Sequence, residues 1–321
     1  MRRMKKAVAA IAAVTLVGLT LAGCGKKDEV IKIGVNQLVQ HAALDASYQG
    51  FVDALADAGY VDGEKIKIDL QNAQGEQSNA NTIATKLVND NNDLILAIAT
   101  PSAQAMANAT KDIPILVTAV TDPEGAGLVA SNEAPGGNVS GTSDLTPVKE
   151  QIDLLVQIIP TAKKIAILYS SSEVNSEIQA DMAKEAAAAL GIEAIDATVS
   201  NTNEIQQVVE SLIGKVDAIY APTDNMIAKA MPTVSMVANA NNLPVICGEG
   251  GMVDAGGLAT YGIDYYELGR LTGEQAVQII EGKAETATMP IGYLSAEQCT
   301  LTINEEVAAQ LGIEIPAELA E

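Results

Sequence analysis

Alternation between strand-like and helix-like segments is the feature that most constrains the fold of this chain. From Val30 onward, short apolar runs alternate with longer segments whose apolar residues recur every three or four positions. Such alternation is typical of α/β proteins, because parallel strands need a crossover between them and that crossover is usually a helix. The pattern forms two successive series within 321 residues, more than a typical single domain. The sequence therefore predicts an α/β protein with two Rossmann-like lobes, each built on a parallel sheet.

One loop recurs in both series. The apolar run from Asp93 to Ala99 stops at Thr100-Pro101-Ser102, where a helix is expected from Ser102. The run from Asp217 to Ala221 stops in the same way at Pro222-Thr223-Asp224. Ligands of α/β proteins bind at the carboxyl ends of the strands, and a helix N-terminus offers unpaired N–H groups to an anion. We expect the two loops to face one ligand from opposite lobes.

The first 24 residues have the parts of a secretory signal. A basic start is followed by an apolar run from Ala7 to about Leu19 and by a small-residue exit at Leu21-Ala22-Gly23-Cys24. This exit resembles the bacterial lipoprotein signal, in which the cysteine is lipidated and becomes the first residue of the mature protein. An ordinary signal with a chance cysteine is the alternative. We expect residues 1–23 to be removed, Cys24 to carry a lipid, and residues 24–29 to form a tether.

Charge and motifs argue against several classes of function. The formal net charge of −22 repels phosphate backbones, which argues against nucleic acid binding. The first strand leads into Asn36-Gln37-Leu38 in place of a dinucleotide fingerprint, and the sequence has neither a Walker A motif nor a nucleophile elbow. His41 is the only histidine, so a metal site lacks suitable partners. The sequence predicts a binding protein that is not an enzyme and has no cofactor or metal.

Eight short motifs are spread over the chain downstream of the signal. They are His41–Asp45 (HAALD), Gln71–Gly75 (QNAQG), Ala97–Pro101 (AIATP), Thr118–Pro123 (TAVTDP), Gly136–Val139 (GGNV), Ser143–Pro147 (SDLTP), Pro222–Asn225 (PTDN) and Ala259–Tyr266 (ATYGIDYY). With these motifs the sequence resembles the type I substrate-binding proteins of ABC importers. Within them it resembles the group linked to tryptophan, tyrosine and phenylalanine. The resemblance covers roughly residues 30 to 285.

The resemblance implies the type I periplasmic-binding-protein fold, in which two lobes close on a ligand about a hinge of three crossover strands. One lobe would comprise residues 30–142 plus about 264–290, and the other residues 143–263 plus about 291–321. It also implies a lipid-anchored monomer that hands an amino acid, aromatic in this group, to a membrane permease powered by an ATPase. Two alternatives stay open: a receptor of the same fold that signals to a membrane kinase, and a binder of nucleosides or other small polar solutes.

An amino acid ligand needs one site for its carboxylate and one for its ammonium group. We expect the carboxylate to meet the N–H groups of Ser102 and Ala103 and the hydroxyls of Thr100 and Ser102. We expect the ammonium group to meet Asp224, with Asn225 beside it. Ser102 and Asp224 could instead be plain helix N-caps. If the ammonium assignment is right, Asp224→Ala weakens ligand binding with little loss of stability, because the loop is expected to be exposed.

Other loops at strand ends are placed to line the same cleft. The helix after the first strand is expected over Ser47 to Ala58, which leaves His41 in a loop. Tyrosines near the second lobe's last strand could stack on an aromatic ligand or pack in the core. The remaining candidates are Gln37 and His41 after the first strand, Thr121 and Asp122 after the fourth, Asp144 on the crossover, Asn175 and Gly248 in the second lobe, and Tyr261 as the stacking residue.

Overall fold

The computed structural model of this protein describes residues 30 to 319. It confirms the predicted α/β architecture with two sheets in which parallel pairing dominates. The predicted signal, Cys24 and the tether lie outside the described residues. No helix within residues 30–319 is both long and apolar enough to cross a membrane.

The first sheet has five strands, all parallel. Its elements are β1 (Ile31–Gln37), α1 (Ala42–Asp57), β2 (Ile66–Asn72), α2 (Gln77–Asn89), β3 (Leu94–Ile98), α3 (Thr100–Ala109), β4 (Ile115–Val120) and β5 (Val139–Ser143). The strand order is β2-β1-β3-β4-β5. All five residues of β3 are buried, as expected for an apolar run at the centre of a sheet covered on both faces.

The second sheet has six strands. Its elements are α4 (Val148–Ile158), β6 (Lys164–Ser170), α5 (Val174–Ala189), β7 (Glu193–Val199), a 3₁₀ turn (Thr202–Glu204), α6 (Ile205–Leu212), β8 (Ala218–Ala221), α7 (Asn225–Ala240), β9 (Val245–Cys247), α8 (Gly250–Asp254), β10 (Ala259–Gly262), α9 (Tyr265–Ile280), a 3₁₀ turn (Ala296–Gln298), β11 (Thr300–Ile303), α10 (Glu305–Leu311) and a 3₁₀ turn (Ala317–Leu319). The order is β11-β10-β9-β8-β6-β7, and only the β10–β11 pair is antiparallel.

The two sheets repeat one topology. The first sheet has the order β2-β1-β3-β4-β5, and the second contains β7-β6-β8-β9-β10 in the same relative order, with β11 added at its edge. Strands β3 and β8, whose ends carry the recurring loop, therefore occupy equivalent positions. In both sheets the order reverses beside the strand that begins the series, which is where α/β sheets open a crevice for ligands.

Helix α9 follows a strand of the second sheet but packs against α1 of the first. Glycines make this close approach possible: a Cβ at Gly50 or Gly269 would collide with backbone atoms of the facing helix. The chain then returns, since Gly292 forms a bridge with Thr142 of β5 before β11 joins the second sheet. With the passage after β5, the chain crosses between the sheets three times. We propose that the two lobes move about these three crossings, and that the lobes divide the chain as the sequence predicted.

Two helices begin earlier than the sequence suggested. Helix α1 begins at Ala42 and not at Ser47, so His41 is its N-cap and does not lie in a free loop. Alanines at the start favour this extension, since alanine has the highest helix propensity. Helix α3 begins at Thr100 and not at Ser102, because Pro101 is compatible with the first helical turn. Both shifts change which backbone groups are free near the expected site.

Candidate functional site

A small cavity lies between the two sheets, at the carboxyl ends of their strands. Residues from both sheets and from the crossover close it. They are His41, Leu44, Ala119, Thr121, Asp144, Asn175, Thr223, Asp224, Asn225, Ala228, Glu249 and Tyr265. Six of the side chains named from the sequence therefore meet at one place: His41, Thr121, Asp144, Asn175, Asp224 and Asn225.

His41 connects the two lobes at the rim of this cavity. Its Nε2 atom lies 3.3 Å from Oδ1 of Asn225, a residue of the second sheet's side. Burial lowers the pKa of His41 below its ordinary value, which keeps the imidazole neutral near pH 7. With the Nε2–H group donating to Asn225, Nδ1 is left as an acceptor, and it is buried without a hydrogen-bond partner.

The end of β4 supplies a second contact between the lobes. Thr121 Oγ1 accepts a hydrogen bond of 3.4 Å from Nε2 of Gln179 on α5, and its carbonyl accepts one of 2.6 Å from the Ser143 hydroxyl. Just before it, Ala119 has a φ of 53°. A residue other than glycine costs of order 1–3 kcal/mol in this left-handed region, and such strain concentrates at functional sites. The strand end is therefore held in a defined shape at the cavity wall.

Asp144, directly after β5, has one oxygen in use and one free. Its Oδ2 accepts a 2.8 Å hydrogen bond from the Tyr265 hydroxyl, whereas Oδ1 is buried with no partner. The residue is only 4% exposed. Burial raises the pKa of Asp144, while the hydrogen bond from Tyr265 acts in the opposite direction. A buried carboxylate oxygen without a donor is costly, so this atom is an attractive position for a cationic group.

Asn175, in the first turn of α5, also has a buried acceptor atom without a donor, and this acceptor is uncharged. Its amide nitrogen donates to the carbonyl of Thr223 at 3.2 Å, and its Oδ1 is buried without a partner. Together with His41 Nδ1 and Asp144 Oδ1, the cavity lining contains three buried acceptors that lack a donor.

Asp224 is occupied by internal hydrogen bonds, which argues against the role expected for it. Its Oδ1 caps α7 by accepting from the Ile227 N–H at 2.7 Å, and its Oδ2 accepts from the Ser170 N–H and the Ser176 hydroxyl, each at 2.7 Å. It is 1% exposed, so the expected exposed loop was wrong. The N-cap alternative accounts for these contacts, and Asp224 supports the wall of the cavity.

Two further carboxyl groups lie close to Asp224 and to the cavity. Glu173 accepts hydrogen bonds from the side chain of Asn225 and the N–H of Met226, and burial together with the nearby Asp224 raises its pKa. Glu249 lines the cavity and caps α8 through the Gly251 N–H at 2.6 Å. Burial raises the pKa of Glu249 to about 7. No lysine or arginine lies among the lining residues, so the charge around the cavity is acidic.

The anion site expected at the start of α3 does not open into the cavity. The N–H of Ala103 donates to the carbonyl of Ala99 at 3.0 Å inside the helix, so it is unavailable. The Ser102 hydroxyl donates to Oδ1 of Asn36 at 3.2 Å, and Thr100 Oγ1 is buried without a partner. All three predicted residues are buried, and none of them lines the cavity.

Four other candidates also lie away from the lining, each held by a structural contact. Gln37 donates to the Val39 carbonyl and to Asp45, and Asp122 accepts from Asn132 at 3.4 Å. Gly248 packs so tightly on the turn after β8 that a Cβ there would strike the Thr223 nitrogen. Tyr261 is paired in β10 opposite Leu301, and its carbonyl accepts from Gln151.

Sequence reasoning missed the apolar part of the lining. Leu44, Ala119 and Ala228 are the three apolar aliphatic residues of the wall. Helical spacing could have identified two of these residues. Leu44 lies three residues after His41, and Ala228 lies three residues after Asn225. Each therefore lies on the same helix face as a polar residue named from the sequence. Of the described residues, no group of three or more His, Cys, Asp or Glu side chains is arranged to hold a metal ion.

Comparison with known proteins gives close matches along the whole described region. A family profile described as ABC transporter substrate binding protein matches residues 32–321. A tyrosine-binding protein of Clostridioides difficile is 48% identical over 282 residues, which cover 88% of this chain and 81% of the relative. A Streptococcus pneumoniae ABC domain in complex with L-Trp is 42% identical, with a TM-score of 0.87 over 91% of this chain and 98% of that one.

A third relative was solved in an open arrangement of its lobes. The ligand-free, open structure of a Clostridium difficile substrate-binding protein is 48% identical over 90% of this chain and 97% of that one, yet its TM-score is only 0.68. The L-Trp complex matches better despite its lower identity. The His41–Asn225 contact joins the two lobes across the cleft, as expected for a closed arrangement.

Proposed function

This chain belongs to the ABC transporter substrate binding protein family, and we propose that it captures an aromatic amino acid between its lobes for delivery to an ABC permease. Substrate-binding proteins of ABC importers are extracytoplasmic. We propose that this chain binds its ligand without changing it chemically and acts as a monomer that docks on permease subunits driven by an ATPase.

The observation that carries the proposal is the set of unpartnered acceptors in an acidic cavity. His41 Nδ1, Asp144 Oδ1 and Asn175 Oδ1 are all buried and all lack a donor. Each such buried group costs about 1–3 kcal/mol when it is left unsatisfied. An ammonium group offers three N–H donors and a positive charge, which this lining is suited to accept. We therefore assign the ligand's ammonium group to Asp144 and Asn175 in place of Asp224.

The chemistry of the cavity wall supports an amino acid with an apolar side chain. Leu44, Ala119 and Ala228 provide apolar surface beside the polar groups. One close relative is named for tyrosine and another was solved with L-Trp, so an aromatic side chain is the best supported choice.

A ligand that contacts both lobes favours the closed arrangement of the lobes. A ligand stabilises the closed arrangement only through interactions that are better there than in the open one. Asp144 lies on the crossover, Asn175 in the second lobe and Leu44 in the first, so a ligand that touches all three bridges the cleft. Binding energy is thereby linked to closure.

A thermal-shift and calorimetric screen tests the ligand class. We expect L-tyrosine, L-tryptophan or L-phenylalanine to raise the melting temperature, since a ligand at 100 times its Kd adds about 2.7 kcal/mol. Analogues sharpen the test: 3-(4-hydroxyphenyl)propionate lacks the ammonium group and tyramine lacks the carboxylate. The assignment predicts that loss of the ammonium group costs more affinity. Stabilisation by nucleosides or sugars alone would contradict the amino acid proposal.

We also propose that Cys24 carries a lipid that anchors the protein to the bacterial cell membrane. Cys24→Ser is expected to move the protein from the membrane fraction to the soluble extracytoplasmic fraction. Retention in the membrane fraction would refute the anchor. A deletion strain separates transport from sensing, because loss of ligand uptake is expected for an importer component and not for a receptor that signals to a kinase.

A further inference from the structure

The apolar part of the cavity wall comes from two helix starts that face each other across the cleft. Leu44 lies three residues after His41 on α1, and Ala228 lies three residues after Asn225 on α7. Residues three apart share one face of a helix. Since His41 Nε2 lies 3.3 Å from Asn225 Oδ1, the two faces meet there. Leu44 and Ala228 each lie one turn further along, and both line the cavity.

Ala228 is placed between two contacts that join the lobes. On one side of it, Asn225 meets His41, and on the other side Lys229 donates to the carbonyl of Gln74 at 3.2 Å. The first turn of α7 is therefore held against the first lobe both before and after Ala228. A larger side chain at this position would either fill part of the cavity or push the two lobes apart.

The other apolar positions have less freedom to set the volume of the cavity. Ala119 has a φ of 53°, a conformation that side chains rarely adopt, so its backbone restricts what can replace it. Leu44 is 2% exposed and belongs to the core of the first lobe. Ala228 is only half-buried and lies in a helix. It is the position where the wall can change without rebuilding the fold.

We infer that Ala228 determines which ligand side chains fit, because a larger residue at this position would take up room between α1 and α7. The inference rests on the proposed function, because it assumes an amino acid whose ammonium group lies near Asp144 and whose side chain extends toward Leu44. Ala228 is thus a specificity-determining residue and takes no part in holding the ligand's charged groups.

Calorimetry with L-tryptophan, L-tyrosine and L-alanine tests this assignment on wild type, Ala228→Leu and Ala228→Gly. We expect Ala228→Leu to reduce the affinity for the two aromatic ligands at least tenfold, and the affinity for L-alanine less than threefold, since added methylenes in a pocket discriminate by size. Ala228→Gly is expected to raise the ratio of tryptophan to tyrosine affinity. Ala240→Leu is the matched control, because Ala240 is exposed near the end of the same helix.

The outcomes separate the inference from the proposed function. An equal loss of affinity for all three ligands in Ala228→Leu would indicate impaired closure and would overturn the role in specificity. Failure of the wild type to bind any amino acid would overturn both proposals. If Ala228→Leu does not fold, as judged by its melting temperature, Ala228→Val and Ala228→Gly carry the same comparison. Unchanged selectivity in those two variants would also refute the inference.

Discussion

The two lobes share one strand order, but they contribute different chemistry to the cavity between them. The side from the first sheet is neutral, whereas the side from the second sheet is rich in carboxyl and amide groups. The first sheet's side supplies His41, Leu44, Ala119 and Thr121, and the second supplies Asn175, Thr223, Asp224, Asn225, Ala228 and Glu249. The shared topology therefore places the strand ends at equivalent positions in the two lobes, whereas the residue types in the loops differ.

The loops after β3 and β8 make the contrast sharpest. After β8, the turn that contains Asp224 and the start of α7 line the cavity. After β3, the start of α3 is covered by α2, whose Gln77 donates to the Pro101 carbonyl at 3.2 Å, and Ser102 bonds inward to Asn36. Equivalent positions in the two sheets thus have unequal access to the ligand. The first lobe instead reaches the cavity through the start of α1 and the end of β4.

The largest effect is expected from Asp144, which belongs to the crossover and to neither wall. Asp144→Asn keeps the size of the side chain but removes the charge opposite the ligand's ammonium group. Removing one partner of a buried charged pair costs about 2–5 kcal/mol, so affinity for an aromatic amino acid is expected to fall at least thirtyfold. Isothermal titration measures this directly. Asp112→Asn, an exposed aspartate before β4, serves as control and should bind like the wild type.

The second prediction compares the two equivalent loops by their stability. Asp224→Ala removes an N-cap and leaves the Ser170 N–H and Ser176 hydroxyl without their acceptor, which costs about 1–3 kcal/mol of unfolding free energy. Relief of repulsion with Glu173 offsets part of this. Ser102→Ala removes one bond to Asn36 and is expected to cost about 1 kcal/mol or less. Urea unfolding of both variants measures the difference.

This result would reverse the expectation drawn from the sequence, in which Asp224→Ala weakens binding and leaves stability unchanged. If calorimetry shows a large loss of affinity with an unchanged unfolding midpoint, the ammonium assignment returns to Asp224. Equal destabilisation by the two substitutions would remove the contrast between the loops.

The third prediction uses pH to separate the acidic wall from the neutral one. Because burial raises the pKa of Glu249 to about 7, acidification from pH 8 to pH 6 protonates it and weakens attraction for an ammonium group, by up to about tenfold in affinity. A raised carboxyl pKa also means that the folded state takes up protons more readily than the unfolded state. Stability of the protein alone is therefore expected to rise over the same interval, while the ligand-induced shift in melting temperature shrinks.

Glu249→Gln is the control for this prediction, since it removes one titrating group and should weaken both dependences. The dependence that remains is expected from Glu173, whose pKa is raised to about 8 by burial and by Asp224. Burial lowers the pKa of His41, which moves its protonation away from this interval. Affinity that increases on acidification would contradict the assignment of an acidic wall.

The fold was accessible from the sequence because its signals are local. The apolar run of β3 predicts a buried strand by itself, and the recurrence of Thr100-Pro101-Ser102 as Pro222-Thr223-Asp224 points to equivalent positions, which β3 and β8 hold. The start of α1 was missed because His41 caps the helix without a side-chain hydrogen bond, so no capping signal marks it.

The site was only partly accessible because its assignments depend on contacts between distant residues. Whether Asp224 faces the ligand or the protein is decided by Ser176, 48 positions earlier in the chain. Ser102 is turned inward by Asn36, 66 positions earlier. Neither partner can be identified from spacing or residue type. Asp144 was named only as one of several lining candidates. Its Oδ1 atom is left free because Tyr265 donates to Oδ2, a contact that the sequence does not indicate.

The smallest effect is expected where the two walls touch directly. The hydrogen bond between His41 and Asn225 joins neutral groups of the two lobes across the cleft. A neutral hydrogen bond contributes about 0.5–1 kcal/mol, so His41→Ala should lower affinity about two- to fivefold. The loss should appear mainly as faster ligand release, because the bond forms after the ligand has entered. Stopped-flow measurement of association and dissociation separates the two rates. Lys229→Ala removes the exposed contact to the Gln74 carbonyl and should change release less. If both variants slow association equally and leave release unchanged, the His41 contact guides encounter instead of holding the lobes together.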